Sequence, residues 1–506
     1  MSATNSNTLD ECIFVPMNLI GLIRKSAGTR EYNNTLWSLL DLGAYPLLMI
    51  IATPLFLNIL GASAYGLWIL ANSIIQILQV LNFGTADSTI RLVSQSGTDI
   101  KSAAGSVGRN LTFSFLLVLF CLLTGYMSGL SNLLPNLFHI DVASFHQMRL
   151  LLILGAGSIG MKFTELVLLG TFKGYQRFDI SARLSMLSRC SMVLINMIVV
   201  YSGHGLVMVF VSTLLMNMIN LCIQFFILRK TFPELASHLA PGLPGWDSFF
   251  NNNFWYWLQS SIALLGFLAD KIFVAAFFDM KTLGYYALGS LIAIQIHNIL
   301  LSLGSFIFPK VSSNTINPSD GRDIFLRASS LLNPFGWTVL LFLLSFGPLL
   351  FNIWLGEESW SRAGNYINLF LIFESAILLM IVPFHFVNGT THLKWNSFFE
   401  ILMKTSLVLS MFAGNYFFGT DGVIVGMIIA AMVNLPFQYY FLSSKIFQLR
   451  LPRVLIWQLF IPLLFVLLLL LNPSTPVGFI VSLLSFLCMA FLFLRNIIRY
   501  LNASLS

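Results

Sequence analysis

Fourteen apolar stretches, each about long enough to cross a bilayer, run from Leu36 to Leu494 of this 506-residue chain. A crossing helix needs about 20 mostly apolar residues, because the hydrocarbon core is about 30 Å thick and a helix rises about 1.5 Å per residue. The predicted spans are Leu36 to Leu60, Gly66 to Ser88, Leu111 to Leu130, Leu150 to Thr171, Leu184 to Tyr201, Leu206 to Leu228 and Phe254 to Phe277, followed by Gly284 to Phe308, Leu331 to Trp354, Tyr366 to Val387, Phe398 to Phe418, Val423 to Phe441, Leu455 to Leu471 and Val477 to Leu494. Only 9% of the residues are charged and 57% are hydrophobic, whereas a soluble globular chain carries about 25% charged residues. The expected fold class is an all-α polytopic membrane protein with about 14 transmembrane helices.

The basic residues divide unevenly between alternate connections. With the N-terminus inside, 21 of the 27 Lys and Arg residues fall on the inner side. The outer side holds Arg149, Lys281 and Arg362, while Lys162, Lys271 and Lys404 lie inside predicted spans. Cytoplasmic loops retain Lys and Arg during insertion, so both termini are expected in the cytoplasm. The net charge of +7 then calls for no nucleic-acid partner. The short apolar run Cys12 to Ile23 is followed, not preceded, by its charges, which favours an interfacial segment over a cleaved signal peptide. Five cysteines, including Cys121, Cys190, Cys222 and Cys488 in or beside spans, suggest neither a disulfide framework nor a metal site, and no cofactor is indicated.

A weak echo recurs along the chain. Gly66 in GASAYGLWILANSI answers to Gly284 in DMKTLGYYALGSLI at an offset of 218, and Gly84, Arg91 and Ser94 answer to Gly304, Lys310 and Ser312. Gly174 and Gly205 answer to Gly389 and Gly422 at offsets of 215 and 217. Such order argues for duplication, and an even number of spans per unit makes the copies parallel. The expected organisation is a cytoplasmic segment over 1–33, a six-helix bundle over 34–230, a cytoplasmic linker over 231–250, a second six-helix bundle over 251–445, and two further helices with a short tail over 446–506. Two such bundles would face each other across a central cavity.

The stretch PLFLNILGASAYGLWILANSIIQILQVLNFG, the loop FKGYQRFD and the segment ADKIFVAAFFDMKTLGYYA resemble the polysaccharide-transporter branch of the multidrug/oligosaccharidyl-lipid/polysaccharide exporter superfamily, the O-antigen flippases. The resemblance covers nearly the whole chain. It implies two six-helix bundles around a solvated cavity in the bacterial inner membrane. It also implies movement of an undecaprenyl-pyrophosphate-linked oligosaccharide from the cytoplasmic to the periplasmic leaflet, as lipopolysaccharide synthesis requires. The implied partners are that lipid-linked oligosaccharide, membrane lipid, H+ or Na+ exchanged in antiport, and polysaccharide assembly proteins. Spans thirteen and fourteen would form a groove for the lipid tail.

An ionised side chain at mid-membrane costs several kcal/mol on most scales, so each one needs a partner or water. Helical spacing places Ser158, Lys162 and Glu165 on one face, Gln259, Ala263, Gly266 and Asp270 on another with Lys271 one step round, and Glu374, His385 and Asn388 on a third. Asn34, Ser38, Asp41 and Tyr45 share a face of the first span, Asn72, Gln76 and Gln79 a face of the second, and Glu400 and Lys404 a face of the eleventh. On a functional reading Lys271, Lys162 and Lys404 present cations to a pyrophosphate, while Asp270, Asp41, Glu374 and Glu165 offset them or bind coupling protons. On a structural reading Lys162 with Glu165, Asp270 with Lys271, and Glu400 with Lys404 merely neutralise one another. The run Phe254 to Trp257 could stack on sugar rings or belong to an interfacial aromatic belt.

The string GAGSIG at Gly155 to Gly160 has the dinucleotide-binding form, but it lies within an apolar span, where small residues serve close helix packing. No nucleotide-binding motif of the form G-x-x-x-x-G-K-[ST] occurs, so ion gradients or the substrate's own gradient would drive transport. A membrane glycosyltransferase or polymerase is the rival class. Its catalytic carboxylates would need a sizeable outer loop, and the longest such connection, Ser131 to Arg149, has Asp141 as its one acid. The expected protein is therefore a transporter and not an enzyme, with another exporter of the same superfamily as the nearer alternative.

Overall fold

The computed structural model describes residues 30–505 apart from 98, 131–136, 139, 141, 243–245, 305–306, 308–310, 312–317, 391–392, 443–459 and 471–474. Every secondary-structure element among the described residues is helical. Eleven of the helices are long and apolar enough to cross a membrane. The apolar run Cys12 to Ile23 lies outside the described residues.

The first bundle opens with α1 (Arg30–Leu60). The second span is α2 (Ala62–Ile77), a 3-10 turn (Leu78–Asn82) and α3 (Thr85–Ser96) in succession. The break falls at Phe83 and Gly84, both in the left-handed region, where the missing Cβ of glycine removes the strain. Then come α4 (Ile100–Leu130), α5 (Val142–Gly174), α6 (Phe178–Tyr201) and α7 (Leu206–Thr231). The short α8 (Pro233–Ser237) and the chain up to Gly242 fold back over the basic end of this bundle. There Leu235 is buried with Ala104 and Phe172, and the Gly242 N–H donates to Thr112 Oγ1 at 3.3 Å.

The second bundle contains α9 (Trp246–Phe277), α10 (Met280–Gly304), α11 (Pro318–Leu355), α12 (Glu357–Asn388) and α13 (Leu393–Phe441). Predicted spans eleven and twelve both belong to α13, which doubles back at Gly419 (φ 60°, ψ −141°). The two arms lie so close that a Cβ on Gly414 would strike the Gly422 carbonyl. The chain ends in α14 (Ile461–Leu470) and α15 (Pro476–Leu505). The latter runs antiparallel to α11 through the ring pairs Phe335–Phe493, Phe342–Phe486 and Phe346–Phe479, with centroids 5.3, 5.8 and 5.8 Å apart.

The bundles meet at two positions that the echo relates. A Cβ on Gly66 of α2 would fall on the Met280 carbonyl, and one on Gly284 of α10 on the Ala62 carbonyl. Two positions related by the repeat touch each other. That is the geometry of a two-fold axis passing between them.

Prolines inside the helices create further links. A proline removes the N–H that would bond the carbonyl four residues earlier, leaving that oxygen unpaired. Pro54, Pro334 and Pro383 do this to Ile50, Ser330 and Leu379. Each freed oxygen accepts a side-chain donor from another helix: Trp354 Nε1 to Ile50 O at 2.9 Å, Asn496 Nδ2 to Ser330 O at 2.8 Å, and Tyr439 Oη to Leu379 O at 3.2 Å. The first of these joins the second bundle to the first. Trp354→Phe is expected to cost about 1–2 kcal/mol and lower the melting temperature. In a Pro54→Ala background, where the helix regains its own donor, the same change should cost far less. Equal losses in both backgrounds would refute the assignment.

Candidate functional site

A cavity of about 1200 Å³ lies within the first bundle and reaches α9 and α10 of the second. It exceeds the roughly 300–1,000 Å³ that accommodates a drug-sized ligand. Its wall extends from Tyr65, near the seam, to Asp87 and Lys173 toward the basic end.

Three polar stripes line it. On α5, Ser158, Lys162, Glu165 and Lys173 recur at helical spacing. On α2 the amides Asn72 and Gln76 do so, continued by Gln79 and Asn82 in the 3-10 turn. On α6 the stripe is Ser181, Ser185, Arg189 and Asn196. Aromatic rings fill the intervals, among them Tyr45, Trp68 and Trp257.

Hydrogen bonds hold these groups in place. Lys162 Nζ donates to Glu165 Oε2 at 2.5 Å and to Ser188 Oγ at 3.1 Å. Arg189 Nη2 donates to Ser185 Oγ at 2.7 Å. Asn196 Nδ2 donates to Thr213 Oγ1 at 3.0 Å, and its Oδ1 accepts from Ser212 Oγ at 2.8 Å. Trp257 donates its indole N–H to Val80 O at 2.8 Å, within the broken stretch of the second span, and stacks on Phe83 with centroids 5.2 Å apart. The side chains of Phe254, Trp255 and Tyr256 lie outside the described residues.

The predicted site residues separate into three groups. Lys162 and Glu165 stand on the cavity wall as an ion pair. Asp270 and Lys271 lie apart from it and are buried against each other at 3.1 Å. Lys271 also donates to Phe267 O at 3.2 Å and covers the Phe267 ring at 4.4 Å, while Tyr286 Oη donates to Asp270 at 3.3 Å. Glu374 is paired with His297 of α10, its Oε1 2.9 Å from His297 Nδ1. Glu400 and Lys404 form no ion pair with each other, and the Lys404 stem lies against Gly266. The side chain of Asp41 lies outside the described residues.

The expected face of α12 divides in the same way. His385 turns from Glu374 to put Nε2 2.8 Å from Leu301 O, at the end of α10. Arg189 and Lys173, counted by sequence with the inner loops, are cavity groups. Arg189 lies eleven residues beyond Phe178, roughly 16 Å along α6. The serine and asparagine spacing around it was the available signal. The glycines of GAGSIG serve packing: a Cβ on Gly155 would strike Ile75 and Phe210, and one on Gly160 the Cα of Val118.

The family profile described as polysaccharide biosynthesis protein matches residues 32–315. No curated protein matches the chain. The lipid II flippase MurJ, in an inward closed conformation, superposes with a TM-score of 0.67 at 14% identity, over 92% of this chain and 100% of that one. An inward-facing multidrug resistance MATE family transporter of the MOP superfamily superposes with a TM-score of 0.62 at 14% identity, over 79% of this chain and 94% of that one. An outward-facing transporter of that description gives 0.53 at 15% identity, over 83% and 96%. These likenesses establish a shared fold of two parallel helix bundles. Since the profile also spans more than half of the residues, the chain is a multi-pass membrane protein of the polysaccharide biosynthesis protein family.

Proposed function

We propose that this protein is a flippase that moves an undecaprenyl-pyrophosphate-linked oligosaccharide, of the O-antigen or a similar repeat unit, from the cytoplasmic to the periplasmic leaflet. The carrying observation is the lining of the first-bundle cavity. Amides along α2, α6 and α7 offer both donors and acceptors to sugar hydroxyls, and indole rings at Trp68 and Trp257 offer faces to their CH groups. Lys162, Lys173 and Arg189 supply cations for a pyrophosphate that hydrocarbon cannot solvate.

The family description and the MurJ-like fold support the lipid-linked glycan class. The better superposition on inward-facing than outward-facing relatives supports a cavity that loads from the cytoplasmic side, with alternating access about the α2–α10 seam. The 21 basic residues assigned to one side support an inner-membrane protein with both termini cytoplasmic. The last two helices, α14 and α15, would flank the lipid tail, and ion exchange would drive the cycle. On this reading the chain transports without catalysing a chemical step and works beside polysaccharide assembly proteins.

Deletion in the native host tests the proposal. Lipid-linked oligosaccharide should accumulate facing the cytoplasm while sugar transfer continues, and Arg189→Ala should reproduce that block with normal protein levels. Unaltered surface glycan with changed drug sensitivity would instead favour a multidrug exporter of the same superfamily.

A further inference from the structure

The charges of the first-bundle cavity are unevenly placed. Among the described residues its wall carries five, Asp87, Lys162, Glu165, Lys173 and Arg189, and all lie toward its basic end. Contacts between helices fix their levels. A Cβ on Gly155 of α5 would strike Ile75 of α2, so these two positions are level, and further along the same two helices Gly170 lies against Ala86. Asn72 is three residues from Ile75 toward the seam, and Lys162 is seven residues from Gly155 toward the basic end, which separates them by roughly 15 Å along the helix axes. Arg189 follows Ser188, to which Lys162 donates, and so shares the level of Lys162.

The seam end is built differently. Among the described residues its wall holds no Asp, Glu, Lys, Arg or His, and the residues that the second bundle lends to the cavity, Trp257, Ser260, Ser261, Leu264 and Leu291, are uncharged as well. Trp68 is held there between Phe56, edge-on with centroids 5.2 Å apart, and Tyr65, tilted at 5.4 Å. Asn72 turns Nδ2 to Trp68 O at 2.8 Å, which leaves its Oδ1, a pure acceptor, as the atom for a ligand.

That combination discriminates by charge. A sugar hydroxyl can donate to Asn72 Oδ1 while the CH face of its ring lies on the Trp68 indole. A carboxylate has no proton to donate, and taking it out of water without a cation or several donors is costly. At this level it would meet an acceptor oxygen and aromatic rings, with the cations of Lys162 and Arg189 a full cavity-half away.

We propose that the seam end of the cavity is a subsite for the terminal sugar of the glycan, with Trp68 and Asn72 as its specificity-determining residues, and that it selects a neutral sugar over one that carries a carboxylate. The inference rests on the flippase reading, in which the pyrophosphate occupies the cations and the glycan extends from them toward the seam.

The test uses the full chain in nanodiscs and three lipids: a polyprenyl-pyrophosphate trisaccharide ending in glucose, the same lipid ending in glucuronic acid, and the sugar-free polyprenyl pyrophosphate. In equilibrium titrations the glucose ending should bind about tenfold more tightly than the acidic one, or better. Trp68→Ala should erase most of the gain of the glucose-ended lipid over the sugar-free one. Asn72→Lys, which places a cation at that level, should reverse the preference, and Gln76→Lys repeats the charge test one turn away if Asn72→Lys does not fold. Equal affinities for the two endings, or a preference unchanged by the added lysine, would overturn the subsite and leave the flippase reading standing. Binding of none of the three lipids would overturn both.

Discussion

Gly284→Val should sharply lower the yield of folded protein and the melting temperature of what remains. An added Cβ at this position falls on the Ala62 carbonyl of α2, and backbone atoms cannot move aside as a flexible side chain does. Overpacking costs about 1–3 kcal/mol where a core can relax, and more where it cannot. Here relief requires two long helices to separate at the junction of the bundles. Gly66→Val should behave alike, because its Cβ meets the Met280 carbonyl in the mirrored contact. Gly205→Ala is the control, since a Cβ there meets nothing within 4 Å, and it should melt with the parent. A Gly284→Val protein as stable as the parent would mean that the bundles do not meet through α2 and α10.

Lys162 calls for a pair of variants. Lys162→Met leaves the Glu165 carboxylate 7% exposed with its cation gone, and stranding it in this way should cost about 1–3 kcal/mol. Adding Glu165→Gln removes the stranded charge, so the double variant should recover most of that stability. Transport should not recover, because the cavity still lacks the cation. Thermal melting and lipid-linked oligosaccharide translocation, measured on the same preparations, separate the two effects. Full recovery of both would make the pair structural.

The comparison between sequence and structure is clearest at the three intramembrane lysines. Periodicity correctly put Lys162 on a polar stripe with Ser158 and Glu165, because those residues share one helix and their spacing is local. It left open whether the equally well-placed Asp270 and Lys271 would close on each other, as they do, with Tyr286 from a neighbouring helix donating to Asp270. Lys404 shows a third outcome. Its expected partner at Glu400 is on the same helix, but the contacts it makes are with Gly266 of α9.

Arg189 illustrates a different limit. Basic residues near a helix end are explained by membrane topology alone, so a charge count absorbs them without asking which way they face. Only the packing of α6 in the first bundle places Arg189 on the cavity wall. The partner of the intramembrane His297 was equally unreadable, since it comes from α12 and no pattern within α10 points to it.

What the sequence determined by itself is the membrane-spanning class, the all-helical fold, the position of the spans and the duplication that pairs Gly66 with Gly284. All of these are written in hydropathy, turn residues and repetition along the chain. What only the tertiary structure decided is the partner of each charge and the face each polar stripe presents. Those depend on how helices far apart in sequence rotate and approach, and a buried charge takes whichever partner that packing brings within reach.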